Sequence, residues 1–362
     1  MRQPILMIPG PTNLDRSVLE ALALPAIGHT SGEFYDEFGE LLALAAGAFM
    51  AKKEQMVVIT GSGTFGMEAG IATFLGNGKK VLAIVNGFFG ERFAQIAEIY
   101  GSRVRRLNVG DGRSAGEDEL AKALSEDDYE AVLMVHSETS NGVLNDVSAL
   151  ARVARERGVY TFVDAVSSLG GVKLDFGSGL YDFVFASSQK CLAAPPGAAL
   201  IAISDELRSV IRPGAVRSYY FDLGRWVDIM RDPKIYLTTP AIPNFRALRV
   251  ALKNLANEGV ERRWERHSLL GRTAWRFSDD TGIRLLARDR SPTVSAFHVG
   301  KGAPAIKERI LKYHGILVAT GIGGDRDSVI RIGHLGLTDK RLMDETLAAF
   351  SEALRSVAGS SP

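Results

Sequence analysis

The chain has 362 residues, of which 46% are hydrophobic and 23% charged. At about 150 residues per domain it is long enough for two domains, with the composition of an ordinary globular protein. Lysine plus arginine (43) balance aspartate plus glutamate (42), which excludes a global basic field for nucleic acid or an anionic membrane. The single cysteine, Cys191, excludes an intramolecular disulfide framework and a multi-cysteine metal cluster.

The N-terminus reaches a Pro-Gly-Pro turn by residue 11, too early for the apolar core of a signal peptide, and the longest apolar stretches are strand-sized. A cytoplasmic protein is the expectation. Phe34, Phe38, Leu41, Leu42, Ala45 and Phe49 fall on one face at helical spacing and predict a helix over 34–49. Met56–Ile59 reads as a buried strand ending in Thr60-Gly61, followed by a helix over 65–75. Further strand-like runs are 81–85, 131–135, 160–163, 183–186 and 198–203, with helices predicted over 91–100 and 146–157. The second of these has Asp146 as N-cap and Gly158 just past its end. Such spacing requires crossover connections, hence an α/β protein with a mostly parallel sheet and ligands at the carboxyl ends of its strands.

The texture changes after about residue 205. Residues 212–246, rich in aromatics, arginine and proline, read as a long irregular connection. A helix carrying Leu248, Leu252 and Leu255 follows, with a stop near Gly282. Strands at 294–299, 316–319 and 329–333 alternate with helices at 304–314 and 338–357, as in a small α+β domain.

Three strand ends carry candidate chemistry. In Thr60-Gly61-Ser62-Gly63-Thr64 two glycines allow close backbone approach, and amides opening a helix favour a phosphate. Alone, this turn reads first as close packing. Asp164 ends an interior strand, where a carboxylate is costly unless paired, though a capping role would also explain it. Lys190 follows the run 183–186, where desolvation would depress its pKa and free a nucleophilic amine; taken alone, it reads first as a solvated surface lysine. Together a phosphate cradle, a strand-end acid and a later strand-end lysine are what pyridoxal phosphate needs. The six histidines are scattered without metal-ligand spacing, so no metal site is expected.

The wording and order of the motifs resemble the class V (fold type I) aminotransferases, specifically the alanine/serine–glyoxylate branch. The matching segments are PGPTN at 9–13, IGHTSGEFY at 27–35, GSGT at 61–64, NGFFGERF at 86–93 and HSETSNGV at 136–143. VDAVSSLGG at 163–171, SSQK at 187–190, PPG at 195–197 and RIGHLG at 331–336 complete the series. The resemblance implies a large domain over 21–245 with a mostly parallel, seven-stranded type of sheet and a smaller C-terminal domain over 246–362. Residues 1–20 would pack on both.

It also implies roles. Ser62, Gly63 and Thr64 would hold the cofactor phosphate with Gln189 beside it, and Phe89 and Val166 would pack on the two faces of the ring. Thr139 would lie near the ring hydroxyl, Asp164 would pair with the ring nitrogen, and Lys190 would condense with the aldehyde. Tyr236 and Thr239 would reach the phosphate of a neighbouring subunit, making the active form a homodimer. Arg331 would clamp the substrate carboxylate, with Asn13 also at the substrate. The implied reaction moves an amino group from alanine or serine to glyoxylate or pyruvate by a ping-pong route. A 2-aminoethylphosphonate–pyruvate aminotransferase shares the Gly-Ser-Gly-Thr-Phe wording, but tends to carry Asn before the lysine where this chain has Gln189. A cysteine desulfurase needs a mobile thiol, and Cys191 adjoins Lys190. A binding protein that kept the fold without catalysis is the remaining alternative, and every implied catalytic residue type is present.

Overall fold

The computed structural model describes residues 3–110, 112–235 and 237–358. Seven strands make the main sheet: β1 Met56–Thr60, β2 Lys80–Val85, β3 Arg103–Asn108, β4 Ala131–Val135, β5 Tyr160–Asp164, β6 Phe183–Ser187 and β7 Ala198–Ile203. Their spatial order is β1-β7-β6-β5-β4-β2-β3. β7 runs antiparallel to both neighbours, and the remaining adjacent pairs are parallel. Strands β4, β6 and β7 are buried along their whole length, which is why they appear in the sequence as unbroken apolar runs.

Alternate side chains of each strand serve opposite faces. Val58 packs with the helices Gly32–Phe49, Val147–Arg155 and Ile242–Glu258. Its neighbours Val57 and Ile59 pack with Gly63–Phe74 and Phe88–Ile99 on the other face. Asp146 caps its helix by accepting from the Ala149 amide at 3.0 Å, and Gly158 takes a left-handed φ of 67°, as expected from the sequence.

Three differences from the expectation bear most on the architecture. β3 was not anticipated: it is an edge strand carrying Arg103, Arg105 and Arg106, and charges that protect an edge erase the apolar run. The connection 212–246 is not wholly irregular, since Leu223–Arg231 is a helix capped by buried Asp222 and packed through Leu223, Trp226 and Val227. The following helix is two, Ile242–Glu258 and Val260–Thr281, broken at Gly259 with φ 87°.

A second sheet, β8 Val294–His298, β9 Ala319–Thr320 and β10 Val329–Gly333, is antiparallel in the order β8-β10-β9. Ala303–His314 and Lys340–Ala358 cover it around a core that includes Phe297 and Phe350. Met7 joins this core, and Ile5–Leu6 pairs parallel with Ile316–Leu317. The Gly333 amide donates to Met7 O at 2.8 Å, and a Cβ on Gly333 would stand 2.2 Å from Ile8 O. That close contact carries the next residues, Pro9 and Gly10, over the carboxyl end of the main sheet.

Candidate active site

Strand ends on one side of the main sheet converge on a chamber of about 310 Å³. β1 runs into the helix opened by Ser62, whose Oγ accepts from the Phe65 amide at 3.3 Å. Ser62, Gly63 and Thr64 all line the chamber, and so does Phe89, in the first turn of the helix that follows β2. Thr139 comes from the segment after β4, Asp164 from the last position of β5, and Val166 from the turn beyond it. Gln189 and Lys190 arrive from the turn after β6. These nine predicted residues therefore meet in one place.

Arg331, from the middle of β10, lines an adjoining chamber of about 410 Å³ that shares Gly10, Phe89, Thr139 and Lys190 with the first. Its Nε donates to Thr320 O at 2.9 Å and its Nη1 to Thr139 O at 3.1 Å. Two carbonyls thus hold the guanidinium, and among the described residues Nη2 has no hydrogen-bond partner and is left for a ligand. Asn13, expected at the substrate, lines neither chamber: it accepts from the Leu6 amide and donates to Leu6 O, both at 2.9 Å, and so ties the N-terminal segment to itself. Thr239 is exposed and does not line its own chain's chamber. Tyr236 lies outside the described residues.

Electrostatics separate the two key groups. Burial pushes Asp164 up to about 7, against a hydrogen bond from the Val166 amide at 2.8 Å, and the nearby Glu138 carboxylate raises it further. Burial lowers Lys190 to about 8, aided by the Arg331 charge. The amine of Lys190 donates to Pro9 O. Gly10 has φ 99°, and a Cβ there would fall 2.4 Å from Lys190 Cδ, so only glycine lets the N-terminal segment lie across the lysine. Cys191 faces away: it is buried, its thiol donates to Ser167 O at 3.6 Å, and burial pushes it up to about 12.

The arrangement could hold a flat phosphorylated ring. A Cβ on Gly63 would lie 2.6 Å from Val166 Cγ2, so glycine is what lets the helix N-terminus close on that side. Among the described residues Gln189 Oε1 is buried with no hydrogen-bond partner, an acceptor that a bound polar group would satisfy.

Several residues in the cleft were passed over in the sequence. Buried Glu138 accepts from the amides of Phe89 (3.0 Å), Gly90 (3.1 Å) and Ser140 (3.0 Å) and from Ser140 Oγ (2.6 Å). Arg92 lies 4.9 Å from the ring centroids of both Phe88 and Phe89 and lines the first chamber. Lys307 lines the second. Glu138 stands inside a matched motif and was findable there; nothing in the local pattern marks Lys307.

The sheet order and this cluster define a fold type I α/β transferase, the architecture of pyridoxal phosphate enzymes. The chain belongs to the class-V aminotransferase family, which it matches over residues 13–331 and which depends on pyridoxal phosphate. It is 33% identical to alanine–glyoxylate aminotransferase 1 of Saccharomyces cerevisiae, over 92% of each chain. It superposes with a TM-score of 0.93 on an alanine–glyoxylate aminotransferase from Nostoc sp., 30% identical over 98% of this chain and 96% of that one. An aspartate aminotransferase of subgroup IV from Thermus thermophilus is 30% identical with a TM-score of 0.89, over 98% of this chain and 99% of that one. Among the described residues no helix is long and apolar enough to cross a membrane.

Proposed function

We propose that this protein is a pyridoxal phosphate-dependent aminotransferase that moves an amino group from a small L-amino acid, alanine or serine, to glyoxylate or pyruvate. The observation that carries the reading is Lys190 and Asp164 lining one chamber, with the Arg331 guanidinium in the chamber next to it. The alanine–glyoxylate relatives support the choice of substrates.

When bound, the cofactor supplies an aldehyde that condenses with amines and a protonated ring that takes up the electron pair released at the substrate's Cα. The amides opening the Gly63–Phe74 helix, with Ser62 and Thr64, would bind the phosphate, with Gln189 beside it. Phe89 and Val166, which line the chamber, would pack on the two faces of the ring, and Thr139 would serve its hydroxyl. Asp164 holds the proton at the ring nitrogen; a cation there lets the carboxylate ionise despite its burial. Arg331 takes the substrate carboxylate through Nη2 and orients Cα–H toward Lys190. Lys190 Nζ, about half of it neutral at pH 8, takes the proton from Cα and later returns it. Glyoxylate or pyruvate then runs the sequence in reverse, so initial rates follow ping-pong kinetics.

The working form is a homodimer in the cytoplasm, with Tyr236 and Thr239 reaching the neighbour's phosphate. The division into residues 1–20, 21–245 and 246–362 belongs to the same reading, supported by a distinct apolar core around Phe297 and Phe350. The test is a panel of amino donors, 2-aminoethylphosphonate included, with 2-oxo acid acceptors, alongside Lys190→Ala. Wild-type protein is expected to be yellow, to transaminate alanine or serine, and to carry a pyridoxyl group on the residue 190 peptide after borohydride reduction. Lys190→Ala should lose both label and turnover. Absence of a pyridoxyl adduct on that peptide would overturn the reading.

A further inference from the structure

The chamber next to Lys190 has an unusual charge balance. Among the described residues that line it are three cations, Lys190, Arg331 and Lys307, and no aspartate or glutamate. Lys190 is committed to the reacting carbon. Arg331 is braced by the carbonyls of Thr320 and Thr139 and answers one carboxylate. Lys307 has no such assignment. It makes no hydrogen bond or ion pair with any described residue, although other lysines of the chain, Lys79, Lys253 and Lys340 for example, hold carboxylates at 2.6–2.7 Å.

Lys307 is carried there by the fold. Ala303, Ile306 and Ile310 bury one stripe of the helix Ala303–His314, and Lys307 sits beside that stripe, half-buried. After a turn at Gly315 (φ 66°) the chain doubles back, and its segment Leu317–Ile322 forms another wall of the chamber. Lys307 lines the chamber, and a lysine stem can lie on apolar surface while its ammonium reaches polar space.

A monocarboxylate such as alanine engages Arg331 alone and leaves the second cation unanswered. A substrate with a second carboxylate engages both. We propose that Lys307 is a specificity-determining residue that binds the distal carboxylate of dicarboxylic amino acids and their 2-oxo acids, so that four- or five-carbon substrates of the aspartate and glutamate type are used alongside small ones. The proposal rests on the aminotransferase reading and extends it from the shared carboxylate to the substrate's far end. An unpaired charge in a partly desolvated chamber discriminates more sharply than an apolar wall, since a wrong ligand leaves it without its partner.

The experiment compares wild type, Lys307→Met and Lys307→Arg as holoenzymes. Calorimetry measures binding of succinate and of butyrate, two unreactive acids of equal chain length. Kinetics give kcat/KM for aspartate, glutamate and alanine. The expected result is that wild type binds succinate more tightly than butyrate and that Lys307→Met erases the preference. The ratio of kcat/KM for aspartate or glutamate to that for alanine should fall about 10- to 100-fold in Lys307→Met, and Lys307→Arg should restore most of it. Wild type that binds both acids alike, or a Lys307→Met variant that lowers all donors equally, overturns the role of Lys307 while the aminotransferase reading stands. Wild type that transaminates no donor at all overturns both.

Discussion

Asp164 shows how a single residue trades stability for chemistry. In the cofactor-free protein its carboxyl titrates near 7, while in the unfolded chain it titrates near 3.8. Between those values the folded state holds a proton that the unfolded state has released, so stability falls as pH rises from 3.8 to about 7 and the full cost is present above 7. Asp164→Asn removes the ionisation without changing the side chain's size. It should therefore stabilise the cofactor-free protein by about 2–4 kcal/mol near pH 8, at roughly 1.4 kcal/mol per pKa unit. Urea unfolding near pH 8 and near pH 5 measures this, and the gain should shrink by more than half at the lower pH. A gain equal at both would mean that ionisation is not its source. The same variant should lose turnover, because amide nitrogen and oxygen cannot hold the ring-nitrogen proton as a carboxylate does.

At the scale of elements, Glu138 joins two strand ends into one unit. Its carboxylate caps the helix Phe88–Ile99 through the Phe89 and Gly90 amides while holding Ser140, and a Cβ on Gly87 would meet its Cγ at 2.3 Å. Glu138→Ala leaves three backbone amides without this acceptor and should cost about 3 kcal/mol in urea unfolding, with faster hydrogen exchange at Phe89 and Gly90. Glu138→Gln, with one acceptor oxygen in place of two, should recover part of the loss. An unchanged unfolding midpoint in Glu138→Ala would rule out the capping role. What was legible in the sequence follows the same physics. β4, β6 and β7 could be seen because both faces are buried, and the residues just past them could be nominated because ligands sit at strand ends. β3 was hidden by its edge arginines, and the helix Leu223–Arg231 by the prolines and aromatics around it. Glu138 and Arg92 stand inside matched motifs, but their roles, like that of Lys307, depend on which distant segment they face, and residue type and spacing do not state that. The matched motif at 27–35 lies partly in a brace: buried Arg246 holds Glu33 at 3.0 Å, Glu37 at 2.8 Å and Pro25 O at 2.7 Å.

At the scale of the whole molecule, one chain leaves the segment around Thr239 facing outward. Tyr220 donates to Thr60 O and the Ala241 amide to Thr60 Oγ1, both at 2.8 Å, so the segment is pinned beside the end of β1. Tyr219 and Ile235 on it are 60% and 48% exposed. In the proposed homodimer a second copy would cover them. If a second copy covers it by two-fold symmetry, each Thr239 serves the opposite chamber, and a site combines Lys190 from one chain with Thr239 from the other. Mixed dimers of two impaired variants distinguish this from a self-contained site. Lys190→Ala removes the reacting amine, and Thr239→Asp sets a negative charge against the phosphate. In a mixed dimer with shared sites, one chamber carries both lesions and the other carries neither. Random mixing makes about half of the dimers mixed, so co-refolding equal amounts should restore about a quarter of wild-type activity. If Thr239 served its own chain, every chamber would carry one lesion and mixing would restore nothing. Transamination rate against mixing ratio, with sedimentation confirming the dimer, decides between the two arrangements.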